Sequence, residues 1–581
     1  MVISSYRLLS LASAVLFFTA TAAPSMAQES LPDFGPHVVV VTPGTPTAEV
    51  QAAIDRAYVV ERDNEFGDQR YAFLFLPGHY ALNIPLGYYT QVVGLGAAPQ
   101  DVVIAGDVHA DAALSNNNAT TTFWRGIEGV DVQPQHGALG NGNMQWAVSQ
   151  ATFLRRMRVE GNLRLHQKGW ASGGWMADTL VDGTTDSGPQ QQWITRNSDF
   201  RAWKGANWNI VFVGAPHAPL TSWPDPGYTT VDKAPVTREK PFLYVDAKGA
   251  WFVRVPALQH DSAGVTWTSG ETPGSSLPLS RFYIAHAEHD TAATLNRALA
   301  AGKNLLLTPG IYELDAPIRV QRKDAVVLGL GYATLHPTRG NAVLTTADAD
   351  GIIVAGLLVR AGEPQSPVLM QIGPRGSHAS HVANPISLHD VFFDVGGAVA
   401  GSVGINLEVN ANDTIIDHTW IWRADHGNAV GWTRNISHNG LVVNGDDVTA
   451  YGLFVEHHQQ YQVLWNGERG RTYMYQSEIA YDPPTQAAYT SAPGVDGWAS
   501  YKVADMVQQH EAWGLGIYSV FTYPGVVLSR AIEVPVRPTV RFHDMITTCL
   551  NTHGAIENII DDKGGAATCV PRHWPRLAQF P

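Results

Sequence analysis

Two glutamates stand 22 residues apart, Glu456 in Phe454-Val455-Glu456-His457-His458 and Glu478 in Gln476-Ser477-Glu478-Ile479-Ala480-Tyr481. On successive coils of a β-solenoid this spacing puts two side chains at equivalent positions, about 4.8 Å apart along the stacking axis. Carboxylates that close do not ionise independently. Mutual repulsion and burial hold a proton on one of them toward neutral pH, which makes a proton donor beside a stabilising carboxylate. Two solvated glutamates or salt-bridge partners would satisfy the same spacing. A second pair, Gln150 and Ser172, is also 22 residues apart. An amide oxygen and a hydroxyl on adjacent coils can hold and orient a water although neither is a strong base, and such a pair also occurs as a plain structural ladder. Rings and polar groups crowd the same stretch, with Trp420-Ile421-Trp422-Arg423-Ala424-Asp425-His426 before the glutamates and Tyr481 after them. Trp420, Trp422 and Tyr481 suit stacking on sugar rings or core filling. His457 and His458 are adjacent on a strand and point to opposite faces, and no third ligand stands at a metal-binding spacing. The reading therefore needs no metal and no cofactor.

The elements that must carry these residues repeat. Ala48 to Ala57 has a helical pattern with Val50, Ile54 and Ala57 on one face, opened by Thr45 as N-cap and Pro46 at the first helical position. Phe73 to Tyr80, with a Pro77-Gly78 turn, and Val92 to Gly96 follow. The middle of the chain repeats this order: a helix from Thr291 to Ala301 with Leu295, Ala298 and Leu299 on one face, Gly302 as C-terminal stop, then Leu305 to Tyr312 around Pro309-Gly310, and Val326 to Gly331. Short strand-like runs separated by Gly, Asn and Asp fill the rest, among them 441–443, 451–455, 461–465 and 472–475. A β-sandwich would also show such runs. The leading helices, suited to capping an open solenoid end, and a recurrence of roughly one coil, as between the paired residues above, favour an all-β fold of two tandem right-handed parallel β-helices, each preceded by a short capping helix. The expected division is 28–268 for the first helix, 269–280 for a linker and 281–581 for the second.

Composition narrows the partners. Among 581 residues, 45% are hydrophobic and only 15% charged, with 55 glycines, which excludes a disordered or coiled-coil chain. A formal charge of −14 without a basic run argues against nucleic acid or an anionic membrane surface. A neutral glycan fits this balance, and a monomer is expected. Arg7, the apolar stretch Leu8 to Ala23 and the small residues Ser25 and Ala27 read as a signal peptide over 1–27, so export is expected. In an oxidising compartment the two cysteines, Cys549 and Cys569, are expected to form a disulfide, with two buried thiols as the other reading.

The two halves, the run Trp146 to Thr152, the stretch Trp420 to His426 and the block from Glu456-His457 through Tyr461-Gln462 to Ser477-Glu478 and Tyr481 together resemble the exo-β-1,3-glucanases of glycoside hydrolase family 55. The resemblance runs over nearly all of the chain after the leader. It implies tandem β-helices and hydrolysis of β-1,3-glucan with inversion, Glu478 as general acid, Glu456 as its companion, and a nucleophilic water on Gln150 and Ser172. It places Trp420, Trp422, Asp425, His426 and Tyr481 around the sugar. Val455 and the run Ile479-Ala480-Tyr481-Asp482-Pro483 depart from the family pattern. A polysaccharide lyase of the same fold would want basic residues to neutralise a uronate; a non-catalytic glycan-binding solenoid would need neither glutamate.

Overall fold

In the computed structural model, residues 31–135 and 139–581 are described, and the expected leader over 1–27 lies outside them. Residues 34–581 form one unit. Its strands wind into two parallel β-solenoids. Nine strands of the first, from Val38–Val41 through Thr152–Arg155, Trp175–Ala177 and Gln192–Arg196 to Tyr228–Val231, stack into one sheet, and a second nine-stranded sheet runs beside it. The second solenoid opens with Phe282–Ala285 and builds sheets of twelve and eight strands. Its last parallel strand, Val540–Cys549, is closed by the antiparallel strand Arg576–Phe580.

Helix α1 (Thr47–Glu61) and helix α2 (Ala292–Ala300) lead the two solenoids. Val50, Ile54 and Ala57 are buried in the first, and Leu295, Ala298 and Leu299 in the second, as their spacing requires. Both helices cover an open sheet edge by the same device. Gln51 donates to Asn83 O at 2.7 Å and accepts from Asn83 N, and Asn296 donates to Pro317 O at 2.9 Å and accepts from Arg319 N. Each side-chain amide thus satisfies backbone groups that no further coil would pair. Thr291 caps α2, whereas Thr45 does not cap α1: Pro46 holds the cap position and the Thr45 hydroxyl accepts from Thr42 N in the preceding turn.

Coil length varies more than the sequence suggests. In the first solenoid Phe153 pairs with Trp175, Trp175 with Ile194 and Ile194 with Val211, each coil shorter than the one before. In the second, Thr449 pairs with Arg471, but Arg471 pairs with Glu511 across a coil nearly twice as long. Parallel coils of the first solenoid end at Tyr228–Val231, short of residue 268. The segment expected as the linker, 269–280, includes a strand: Gly274–Pro278 pairs antiparallel with Trp251–Pro256, which pairs with Phe242–Val245.

The long strands of the second solenoid are buried on both faces because the first solenoid covers one of them. In Thr449–Glu456, Leu453 and Val455 point into the solenoid core, while Phe454 joins Trp420, Trp422, Trp124, Phe153 and Trp175 in a shared apolar layer between the solenoids. Glu456 follows Phe454 by two and faces the same way. The layer is pinned by a buried ion network. Arg155 of the first solenoid reaches Asp390 and Asp417 of the second at 2.8 and 2.9 Å, and Arg196 joins Asp417 to Glu239 at 2.8 and 2.7 Å. These guanidinium groups overcome the burial penalty and hold Asp390 and Asp417 well below the usual carboxylate range. Buried pairs of this kind add little net stability, but their directional bonds fix the register of the two solenoids.

Candidate active site

The strands Thr449–Glu456 and Gly470–Glu478 pair in register, with Glu456 opposite Glu478. Their one-coil separation and the two-residue alternation bring both carboxylates to the face that meets the first solenoid. Across from them, the strand register carried back three residues from Phe153, Trp175 and Ile194 sets Gln150, Ser172 and Gln191 in one column. The two columns border a cleft of about 250 Å³ lined also by Thr120, Thr121, Phe123, Trp420, Trp422, Asp425, His426, His457, Tyr481 and Leu550. All nine expected site residues lie on this cleft.

Glu456 is buried, and each of its oxygens has a donor: Gln150 Nε2 donates to Oε1 at 2.7 Å and Trp420 Nε1 to Oε2 at 2.8 Å. Burial raises its pKa to about 7 against the pull of these bonds. Glu478 is pushed well above the ordinary value, first by burial and then by the charges of Glu456 and Asp425. The Tyr481 hydroxyl donates to Glu478 Oε2, Gln476 Nε2 reaches Oε1 at 3.4 Å, and His457 Nε2 lies 3.9 Å from Oε2. Of the two carboxyls, Glu456 has the donors that favour an anion and Glu478 the environment that keeps a proton.

On the opposite wall, the Gln150 amide oxygen is buried and has no partner, while Ser172 Oγ donates to Gln191 Oε1 at 2.7 Å and keeps its lone pairs. The Ser172 backbone is held by Ser149 Oγ, and Gly173 by Gln190 Oε1, both at 2.8 Å. A buried acceptor beside a hydroxyl is a place for a water.

Trp420 and Trp422 stack on each other at 4.8 Å and are 0% and 1% exposed. They build the wall and, through Trp420, hold Glu456. The departure at Asp482 has a partner: Arg423 clamps its two carboxylate oxygens at 2.8 Å each and also bonds His457 O, so the Tyr481 loop is tied to the strand that carries Trp422. His458 turns away from the cleft to Ser437 Oγ and Ile421 O. Among the described residues no three His, Cys, Asp or Glu side chains gather around a common point for a metal ion, and no helix is long and apolar enough to cross a membrane. Cys549 and Cys569 form a disulfide, which anchors the chain next to Leu550 on the cleft.

Gln191 was not among the expected residues, because the coil that separates it from Ser172 is shorter than the one that separates Ser172 from Gln150. Gln476 stands two residues before Glu478, and its place beside that carboxyl could have been read from the same period-2 pattern. His457 could not, because its positive φ of 66° breaks the alternation after Glu456 and turns it, rather than His458, to the cleft.

Residues 282–478 match the LAM55 pectate lyase-like domain. The chain is 45% identical over 547 residues to an exo-beta-1,3-glucanase of Streptomyces sp. (strain SirexAA-E / ActE), covering 93% of this chain and 89% of that one. The solved structure of sacteLam55A from Streptomyces sp. SirexAA-E superposes with a TM-score of 0.91 at 44% identity, over 95% of this chain and 99% of that one. A glutamate-to-alanine variant of that protein, solved in complex with glucose, gives a TM-score of 0.92 at the same identity and coverage. With likeness of this extent in sequence and in fold, the chain belongs to glycoside hydrolase family 55.

Proposed function

We propose that this protein is an exported, inverting exo-β-1,3-glucanase that binds one end of a β-glucan in the cleft between its solenoids. Glu478 gives its proton to the glycosidic oxygen as the bond breaks. A water on the Gln150 amide oxygen and Ser172 Oγ attacks the anomeric carbon from the opposite side, and Glu456 tunes the acid and takes part in moving the released proton. Tyr481 orients Glu478, Asp425 and His426 contact the sugar, and the buried Trp420 holds Glu456. The observation that carries this reading is a cleft in which a proton-holding carboxyl on one solenoid faces an unpartnered amide oxygen and a serine on the other.

Each Glu456 oxygen already accepts a hydrogen bond, which draws electron density from the carboxylate and weakens it as a nucleophile. That supports one displacement over two. The likeness to an exo-beta-1,3-glucanase supports the linkage, the leader-like N-terminus supports export, and the acidic balance supports a neutral substrate with neither nucleic acid nor membrane as partner. Incubation with β-1,3-, β-1,4-, β-1,6- and α-glucans tests the proposal: glucose or short oligosaccharides should accumulate from the β-1,3-glucan, and release only from another polymer would reject the linkage. Ultraviolet absorbance of an unsaturated product would instead identify a lyase.

A further inference from the structure

The loop over 62–70, between α1 and the strand Tyr71–Phe75, belongs to the first solenoid, yet its tip rests on the second, behind the cleft wall. Glu65 Oε1 lies 2.7 Å from His426 Nε2, and His426 Nδ1 lies 2.8 Å from Asp425 Oδ1. Phe66 stacks near-parallel to Trp422, with an interplanar angle of 12°, and meets the His426 ring edge-on at 5.5 Å. Its ring sits where side chains at Gly397 and Gly427 would be: a Cβ at either would come within 2.5 or 2.6 Å of it. The loop is anchored on both sides. The Tyr89 hydroxyl donates to Glu65 O at 2.7 Å, and Arg70 Nε donates to Thr334 Oγ1 of the second solenoid at 2.7 Å.

The chemistry of the chain Glu65, His426, Asp425 follows from its distances. Carboxylates only accept, so a ring bonded to one at each nitrogen carries both N–H groups and a positive charge. Burial opposes that charge, but the bonds to Asp425 and Glu65 push the His426 pKa up to about 10. Burial would raise Asp425 as well, and the His426 bond instead brings it down to about 2. Asp425 is therefore an anion, tethered through one oxygen, with 30% of its side chain exposed on the cleft. Such a group accepts hydrogen bonds from a pair of sugar hydroxyls.

We propose that Glu65 and Phe66 are positioning residues for substrate: they reach across from the first solenoid to lock His426 and thereby hold the Asp425 carboxylate in place to receive two hydroxyls of the sugar lodged in the cleft. This rests on the glycanase reading above and adds the residues that set its affinity for the bound sugar. Both act first on His426 and Trp422, and the charges of Asp425 and His426 bear on Glu478 in opposite senses, so their loss falls on binding more than on the chemical step.

The test measures kcat and KM on β-1,3-oligosaccharide, and glucose affinity by calorimetry in a Glu478→Gln background, for Glu65→Ala, Glu65→Gln and Phe66→Leu. Glu65→Ala should raise KM and weaken glucose binding about tenfold or more with kcat within about threefold. Glu65→Gln, which keeps an acceptor of the same shape, should recover most of the loss, and Phe66→Leu should show a smaller rise in KM. A merely structural role would lower Tm and the active fraction and leave KM and glucose affinity alone. If Glu65→Ala does not fold, Glu65→Gln and Phe66→Leu decide by the same readouts. An active wild-type enzyme whose folded variants keep wild-type KM and glucose affinity overturns this inference by itself; a wild-type protein that neither cleaves nor binds sugar overturns it together with the proposed function.

Discussion

Gln150 of the first solenoid donates a 2.7 Å hydrogen bond through Nε2 to Glu456 Oε1 of the second, while its own amide oxygen stays buried without a partner. One side chain thus steadies the companion carboxylate and offers an acceptor to the attacking water. Neither solenoid holds both halves of this arrangement, so the chemistry depends on how the two are docked.

Replacing Gln150 by Ala should therefore lower kcat more than it raises KM. About 10²-fold is expected, the range for removing one preorganised polar group from a reaction centre. Steady-state kinetics on β-1,3-oligosaccharide reads this out, and a kcat within a few-fold of wild type would show that the water is held elsewhere.

Glu478→Gln should fold normally and lose about 10²–10⁴-fold in turnover on unactivated glucan, the usual share of general acid catalysis. A substrate with an aryl leaving group of low pKa needs less protonation and should be cut with a much smaller deficit. Equal losses on both substrates would take the acid role away from Glu478.

The strand pairing of the two glutamates was readable because the coil between them happens to match in length the one between Gln150 and Ser172, so a single period served both. Gln191 was hidden by a shorter coil. For Trp420 and Trp422 the sequence leaves sugar stacking and core filling both open, since a period-2 pattern shows which residues leave the solenoid core but not that a second solenoid covers them. The same blindness applies to Glu65 and Phe66, which are separated from His426 by more than half of the chain and meet it only through docking. Thr45 resembled an N-cap by type and position, but its hydroxyl closes the preceding turn.

The pH dependence has a definite sign. Glu478 faces Glu456, Asp425, His426 and His457, and burial with the two nearby carboxylates raises its pKa. Activity needs its proton and should fall as pH rises through that raised value. Glu456→Gln removes one neighbouring negative charge, so the residual activity should lose its basic limb at lower pH than wild type. A basic limb that stays in place would mean that another group sets it.

Stability should follow a related trend. Burial raises Glu61, Asp131 and Glu456 to about 7 and Asp544 to about 6. Such groups bind more protons folded than unfolded, so their contribution is complete below the unfolded carboxylate pKa and is lost as pH rises through the folded value. Asp390 and Asp417, held low by Arg155 and Arg196, act in the other direction and lose their contribution only in strong acid. The buried imidazoles of His458 and His510, pushed down to about 3, oppose this between pH 5 and pH 8, so the carboxyl share is read by difference: the Tm of Asp131→Asn relative to wild type should rise from pH 5 to pH 8. A difference that stays constant over that window would speak against the assignment of this carboxyl.

The Cys549–Cys569 bond closes a short loop, and removing it should cost about 3 kcal/mol on the chain-entropy account. Thiol titration of the denatured protein should find no reactive thiol before reduction and two after it. Because Leu550 follows Cys549 onto the cleft, a Cys549→Ser, Cys569→Ser protein should also show a raised KM. Unchanged Tm and KM would mean that the neighbouring backbone bonds suffice.

The mechanism turns on a single displacement by a water held on the first solenoid, with the acid on the second. Proton NMR of the first product formed from a β-1,3-glucan, recorded before mutarotation, reads this out without any variant. α-Configured sugar should appear first, and β-sugar should grow in only as the anomers equilibrate. β-Sugar as the initial product would require two displacements, with Glu456 freed from Gln150 and Trp420 to act as nucleophile, and would be incompatible with a water held by Gln150 and Ser172.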